Sequence, residues 1–223
     1  MKFGVIILAG GQGTRFNERG VPKQFTVVDG KPILEYTIDI YKRLFTKIVI
    51  VLSEQYAWQG YSYPYPCILG GETRFLSAKN GYKVLQKTGF CDKIFIVDAV
   101  RCNTSVRCNT SRELIERMLD TDAGCVCPCI RSIETVVRQG MILNKNEQYD
   151  IQTPTLLKAK VLKKIFEGKN NESNGFSFGY CAQKITDVQF VEGEAENIKI
   201  TYPIDSEIFK ILKRSQGNGL QNR

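Results

Sequence analysis

Val5-Ile6-Ile7-Leu8-Ala9-Gly10-Gly11-Gln12-Gly13-Thr14-Arg15 is the stretch on which the fold turns. A β-branched apolar run stops at three closely spaced glycines and a cation, as a buried strand does when it opens into a ligand-facing loop. Lys2–Leu8 is therefore predicted to be a strand, and runs of the same kind recur at Lys47–Leu52, Cys67–Leu69, Lys93–Val97 and Gly124–Cys129. Longer amphipathic stretches separate them, predicting helices over Pro32–Leu44, Thr73–Gln86 and Ser111–Leu119. Strands alternating with helices build a mostly parallel sheet whose right-handed crossovers put helices on both faces, a three-layer α/β/α sandwich of Rossmann-like type. Ligands of such sheets sit beyond the carboxyl ends of the strands, which singles out the loops after Leu8, Leu69 and Val97.

The 223 residues suit a single domain, taken as 1–215, and 43% apolar content can bury a sizeable core. No run approaches the roughly 20 apolar residues that cross a bilayer, and the apolar start breaks at Gly10 too early for a signal peptide. A cytoplasmic protein with no membrane partner is expected. The chain contains no histidine, which excludes a Ser-His-Asp triad, a Cys-His pair and any histidine-ligated metal. Eight cysteines could in principle hold zinc, but the one cluster, Cys125-Val126-Cys127-Pro128-Cys129, has one-residue gaps. Such alternation points thiols to one face of a strand, so buried reduced cysteines are expected. The net charge of 31 − 23 = +8 fits anionic ligands but does not choose among them.

Further along, Arg131–Asp150 is polar and weakly periodic, fitting a hairpin arm or an ordered excursion. Helical character returns over Thr155–Phe166, before the Asn-rich loop Lys169–Gly175. Val188–Val191 and Asn197–Thr201 are predicted as short strands, Pro203–Lys213 as a closing helix, and 216–223 as a disordered tail. Arg101-Cys102-Asn103-Thr104-Ser105 recurs as Arg107-Cys108-Asn109-Thr110-Ser111, too short a period for a solenoid and best explained as a tolerated loop insertion.

The first loop carries the chemistry. Its glycines let backbone N–H groups turn toward phosphate oxygens. A P-loop would need Lys and Ser/Thr directly after the last glycine, where Thr14-Arg15 stands, and a dinucleotide fingerprint would need glycine in place of Phe16. Both fail. Arg15 and Lys23 instead set two permanent cations beside the amide nest, an arrangement suited to a triphosphate cleaved along its chain.

Leu8–Arg15, Pro22-Lys23-Gln24-Phe25 and Gly30-Lys31-Pro32-Ile33-Leu34 together resemble the cytidylyltransferases that act on 2-C-methyl-D-erythritol 4-phosphate or ribitol 5-phosphate. Gly70-Gly71-Glu72-Thr73-Arg74 with Ser77 and Asn80-Gly81, Val97–Arg101, Thr153-Pro154, and Val191-Glu192-Gly193 with Glu196–Thr201 continue the resemblance over about residues 2–213. The resemblance implies a fold of the nucleotide-diphospho-sugar transferase type. It also implies that Leu8, Ala9, Gly10, Gly11 and Gly13 wrap the CTP phosphates and ribose, while Gly71, Glu72, Arg74, Ser77, Asp98 and Ala99 complete the nucleotide pocket. Arg15 and Lys23 would stabilise charge at the α-phosphorus. Lys199, with Arg101 and Thr153, would hold the acceptor phosphate, and Asp98 would sit beside a magnesium ion bridging the triphosphate oxygens. A homodimer through the 131–150 arm is implied, with Lys145 reaching the partner's site.

The chain also departs from the family. Val97-Asp98-Ala99-Val100-Arg101-Cys102 replaces His-Asp-Ala-Ala-Arg-Pro, and the repeat leaves Arg101 and Arg107 both eligible as the working arginine. Lys145 stands where the family has arginine, keeping the charge but losing the bidentate fork. Gly175-Phe176-Ser177-Phe178 replaces a Thr-Asp-Asp/Glu segment on the acceptor side, which argues for a changed acceptor. The expected function is thus magnesium-dependent transfer of CMP from CTP to a small phosphorylated polyol or sugar for surface polysaccharide synthesis. The methylerythritol phosphate reaction of isoprenoid synthesis is the alternative, and a non-catalytic nucleotide-binding regulator is a reading of another class. RNA binding is not expected, because the aromatics Tyr56, Trp58, Tyr61, Tyr63 and Tyr65 have no interleaved basic residue and suit packing over a sheet edge.

Overall fold

The computed structural model describes residues 1–13, 15–16, 21–54, 63–102, 110–168 and 177–217. In it Phe3–Ala9 forms β1, flanked in parallel by β4 (Ile48–Leu52) on one side and β6 (Lys93–Asp98) on the other. β5 (Cys67–Leu69) extends the sheet in parallel beyond β4. On the other flank β11 (Thr155–Lys158) runs antiparallel between β6 and β7 (Cys125–Arg131), and β12 (Val188–Glu192) closes that side parallel to β7. The sheet is mostly parallel, as the strand–helix alternation predicted.

Alternation along each strand divides the core into two layers. Val5, Ile7, Ile48, Ile50, Phe95 and Val97 face α1 (Ile33–Lys42) and α3 (Thr110–Leu119). Ile6, Val49, Val51, Ile94 and Ile96 face α2 (Arg74–Lys87), α4 (Ala159–Glu167) and α5 (Phe178–Ala182). A smaller cluster of Val28, Ile33, Tyr36, Val100, Ile200 and Phe209 seats α6 (Pro203–Gly217) against the β6 end. Val27–Val28 (β2) and Lys31–Pro32 (β3) form a short ribbon after a 3-10 turn at Lys23–Phe25, neither of which the sequence pattern announced. The arm is a hairpin as expected: β8 (Val137–Arg138) and β9 (Met141–Ile142) pair at its tip, and β10 (Tyr149–Ile151) returns along β7.

Three expectations need correction, and one helix is additional. Thr155–Lys158 is a strand, not the first turn of the Thr155–Phe166 helix, because it pairs on both flanks and its backbone bonds are satisfied there. Asn197–Thr201 forms no strand; Ile200 N–H donates to Val100 O at 3.0 Å, and the Asn197 side chain donates to Thr153 O at 3.0 Å. The closing helix runs on to Gly217, so residues 216–217 are helical, and 218–223 lie outside the described residues. The helix Phe178–Ala182 was not anticipated; Ser177 caps it by accepting from Tyr180 N–H at 3.1 Å.

Thr73 caps α2 by accepting from Leu76 N–H at 3.1 Å. Cys125 and Cys127 point to the same face with sulfurs 3.8 Å apart, both buried. Tyr63 and Tyr65 pack against the core, whereas Tyr56, Trp58 and Tyr61 lie outside the described residues, as do 103–109 of the repeat and the 169–175 loop.

α2 lies so close to the sheet that a Cβ at Gly81 would come within 2.6 Å of Ile6 Cγ2 and 3.0 Å of Val51 Cγ2. Gly81→Ala would gain about 1 kcal/mol of helix propensity and lose about 1–3 kcal/mol to overpacking. The expected result is a net loss, read as a melting temperature lower by a few degrees; a higher one would show that α2 has room to spare.

Candidate active site

The carboxyl ends of β1, β4, β5 and β6 open on a cavity of about 750 Å³. Its wall includes Leu8, Ala9, Gly10, Gly11, Gly13, Arg15 and Lys23 from the first loop, Gly71, Glu72, Arg74 and Ser77 from the α2 entrance, and Asp98, Ala99 and Lys199 opposite. The strand-end expectation therefore locates the cavity, and it unites all of the predicted nucleotide residues. Arg101, Lys145 and Thr153 are not among its lining residues. Arg101 donates through Nη1 to Asn197 O and so braces the segment that carries Lys199. The Thr153 carbonyl accepts from Asn197 Nδ2 at 3.0 Å, and Lys145 is exposed on the arm. Arg107 lies outside the described residues.

Gln24 shapes the glycine loop. It is 1% exposed, and its side-chain nitrogen donates to Ala9 O at 2.6 Å and to Gly11 O at 2.9 Å. Both donors of one amide are spent on the loop, fixing the orientation of these two carbonyls. The sequence showed Gln24 within a matched motif but offered no signal of this role. Gly13 adopts φ +69°, where a side chain would be strained. Ser77 has a bracing role as well: its hydroxyl accepts from Gly71 N–H at 3.1 Å and donates to Gly71 O at 3.2 Å, tying the second glycine loop to α2.

Electrostatics at the far wall centre on Asp98, which is 8% exposed at the end of β6. Arg74 donates to Oδ1 through Nε at 3.1 Å and Nη2 at 2.9 Å, and Lys199 Nζ lies 3.0 Å from Oδ2. Burial alone would raise this carboxyl's pKa, but the charges and hydrogen bonds of Arg74 and Lys199 hold it far below the ordinary range. The arrangement does not fit Asp98 as a direct magnesium ligand, because both oxygens already face cations. Among the described residues no group of three or more acidic, cysteine or histidine side chains could hold an ion in its place.

Across the cavity, Lys23 titrates at about 8 instead of 10.5: burial lowers it most, then the charges of Lys199 and Arg15, with Asp98 and Asp205 opposing. Arg15, Lys23, Arg74 and Lys199 thus share one space with Glu54, Glu72 and the doubly paired Asp98, leaving the lining net positive. Such a site is built for a polyanion.

The family model for 2-C-methyl-D-erythritol 4-phosphate cytidylyltransferase (IspD) matches residues 3–213. A protein of that name from Phocaeicola vulgatus is 31% identical, the match covering 93% of this chain and 98% of the relative. A ribitol-5-phosphate cytidylyltransferase from Streptococcus agalactiae serotype Ia is 28% identical, covering 96% of both chains. The crystal structure of the Francisella tularensis 2-C-methyl-D-erythritol 4-phosphate cytidylyltransferase superimposes with a TM-score of 0.77 at 26% identity, over 95% of this chain and 100% of the other.

The lowered Lys23 value has a sign that can be tested. The folded protein holds that proton less tightly than the unfolded chain does, so the charged lysine costs stability. The cost is absent above about 10.5 and complete below about 8. Lys23→Met should therefore melt higher than wild type at pH 7 without ligand, with the gap closing as pH rises through that window, and should lose at least 100-fold in turnover by analogy with removal of a charge-stabilising donor. A variant that keeps near wild-type pyrophosphate release would contradict the role of Lys23.

Proposed function

The chain belongs to the 2-C-methyl-D-erythritol 4-phosphate cytidylyltransferase family, and on that premise we propose that it transfers CMP from CTP to 2-C-methyl-D-erythritol 4-phosphate. The observation that carries the reading is the pairing across one cavity of the glycine loop and Lys23 with the Asp98–Lys199 ion pair. CTP lies with its phosphates along Gly10–Gly13, and its base end toward Gly71 and Ser77. Lys199 meets the acceptor phosphate. An oxygen of that phosphate attacks the α-phosphorus, the bond to the β-phosphate oxygen breaks, and pyrophosphate leaves.

The attacking phosphate is already an anion, so no proton-accepting side chain is needed and a histidine-free chain suffices. Lys23 and Arg15 stabilise the charge that builds on the phosphoryl oxygens. At an effective dielectric of about 20, a cation roughly 4 Å away contributes about 4 kcal/mol before desolvation is subtracted. Magnesium enters this reading as part of the substrate, carried on the nucleotide's phosphates.

The expected surface-polysaccharide acceptor rested on the altered segment that includes Phe178. Phe178 is 3% exposed within the core and is absent from the cavity lining, so the ground for a changed acceptor weakens. Two sequence relatives named for methylerythritol phosphate are each 31% identical, against 28% for two named for ribitol 5-phosphate. A non-catalytic regulator is not favoured, since Arg15, Lys23, Asp98 and Lys199 converge on one cavity.

The arm exposes Ile133, Val137, Met141 and Ile142, each more than 60% accessible, a concentration of apolar side chains that supports the expected homodimer. Pairing of two arms would bring Lys145 toward the partner's cavity.

Purified enzyme supplied with CTP and magnesium should release pyrophosphate with methylerythritol phosphate at a kcat/KM at least 100-fold above that with ribitol 5-phosphate or sugar phosphates. Preference for ribitol 5-phosphate would restore the polyol reading. Light scattering should give a dimer mass, and Ile142→Asp a monomer of reduced activity; a fully active monomer would reject the arm's role.

A further inference from the structure

Arg74 reaches the cavity wall on a long, flexible side chain that is 34% exposed, so a guanidinium not held in place would leave Asp98 for solvent. Two contacts keep it on Asp98. Its Nε and Nη2 both donate to Oδ1, and its Cζ lies over the Phe178 ring, 5.2 Å from the centroid. That ring cannot easily move. It stacks on Phe75 at 6.3 Å and 11°, and meets Phe166 edge-on at 6.0 Å and 78°. Ser177 caps the short helix that presents it.

We propose that Phe178 is a positioning residue for the acceptor side of the cavity, holding Arg74 on Asp98 so that Asp98 neither captures Lys199 alone nor faces the incoming phosphate uncompensated. This rests on the reading above that Lys199 meets the acceptor phosphate. The physical argument concerns local charge. With Arg74 on Oδ1, Asp98 is neutralised twice and the triad Arg74–Asp98–Lys199 is net positive. If Arg74 swings away, one carboxylate and one ammonium remain, and the acceptor phosphate loses its surplus cation. An aliphatic side chain of similar size at 178 would fill the volume, but it has no negative ring face to attract guanidinium.

The test replaces Phe178 with phenylalanines carrying one, two and three ring fluorines, which weaken the ring's negative face with little change in size; the same series at Phe166, a neighbour in the aromatic cluster, is the control. Two readouts are taken on the full-length protein: hydrogen exchange of Arg74 Nε–H by NMR, which needs no acceptor, and steady-state KM for acceptor and for CTP. Arg74 exchange should rise stepwise with fluorine number at 178, and acceptor KM with it, by about tenfold at three fluorines, the scale of a lost cation–π contact. CTP KM should stay within about twofold, on the same energy scale. The Phe166 series should move neither.

A flat response at 178, a matching response at 166, or faster Arg74 exchange without a change in acceptor KM overturns the proposal. Wild-type enzyme that turns over no acceptor would instead reject the proposed function, while the exchange measurement still reports on the hold of Phe178 over Arg74. Phe178→Leu supplies an independent check: it should raise acceptor KM about tenfold while Phe166→Leu, at similar thermal cost, does not.

Discussion

The site depends on a buried carboxylate with cations on both sides. Asp98 ends the central strand β6, Arg74 begins the helix that follows β5, and Lys199 lies on an irregular segment near the end of the chain. A charged group at 8% exposure is tolerable only when paired. Its two ion pairs therefore fix how those three elements meet. They also leave the region net positive, so what supports the fold at this point also prepares the cavity for phosphate.

The sheet was legible because its information is local and periodic. Val5 and Ile7 face one layer and Ile6 the other, and the same alternation in Ile48–Leu52 and Lys93–Asp98 is enough to call parallel strands buried on both faces. Thr155–Lys158 was not legible, because Thr-Leu-Leu-Lys runs without a break into an amphipathic helix. Only the gap between β6 and β7, formed by distant parts of the chain, makes it a strand. Asn197–Thr201 failed in the opposite sense: β-branched residues suggested a strand, but no neighbouring edge was available to pair with it.

The site was half legible for a similar reason. Glycines after a strand, with Arg15 and Lys23 close in sequence, mark a phosphate loop by their own chemistry. The roles of Asp98, Arg74 and Lys199 came from resemblance, and their mutual pairing from the fold alone. Gln24 and Phe178 stood in segments that the sequence singled out, but their contacts were not readable from it. An amide in a loop and an aromatic residue in a short helix carry no pattern, and each matters only through a group that tertiary structure sets beside it.

The pair of hydrogen bonds from Gln24 to Ala9 and Gly11 sets when conformational freedom is surrendered. A glycine-rich segment left loose would have to be ordered by each nucleotide that arrived, and that entropy would be subtracted from affinity on every cycle. Here the chain settles the matter once, as it folds, by spending a buried amide on two carbonyls. The incoming triphosphate meets a mould already cast, and its binding free energy remains available for aligning the reacting atoms.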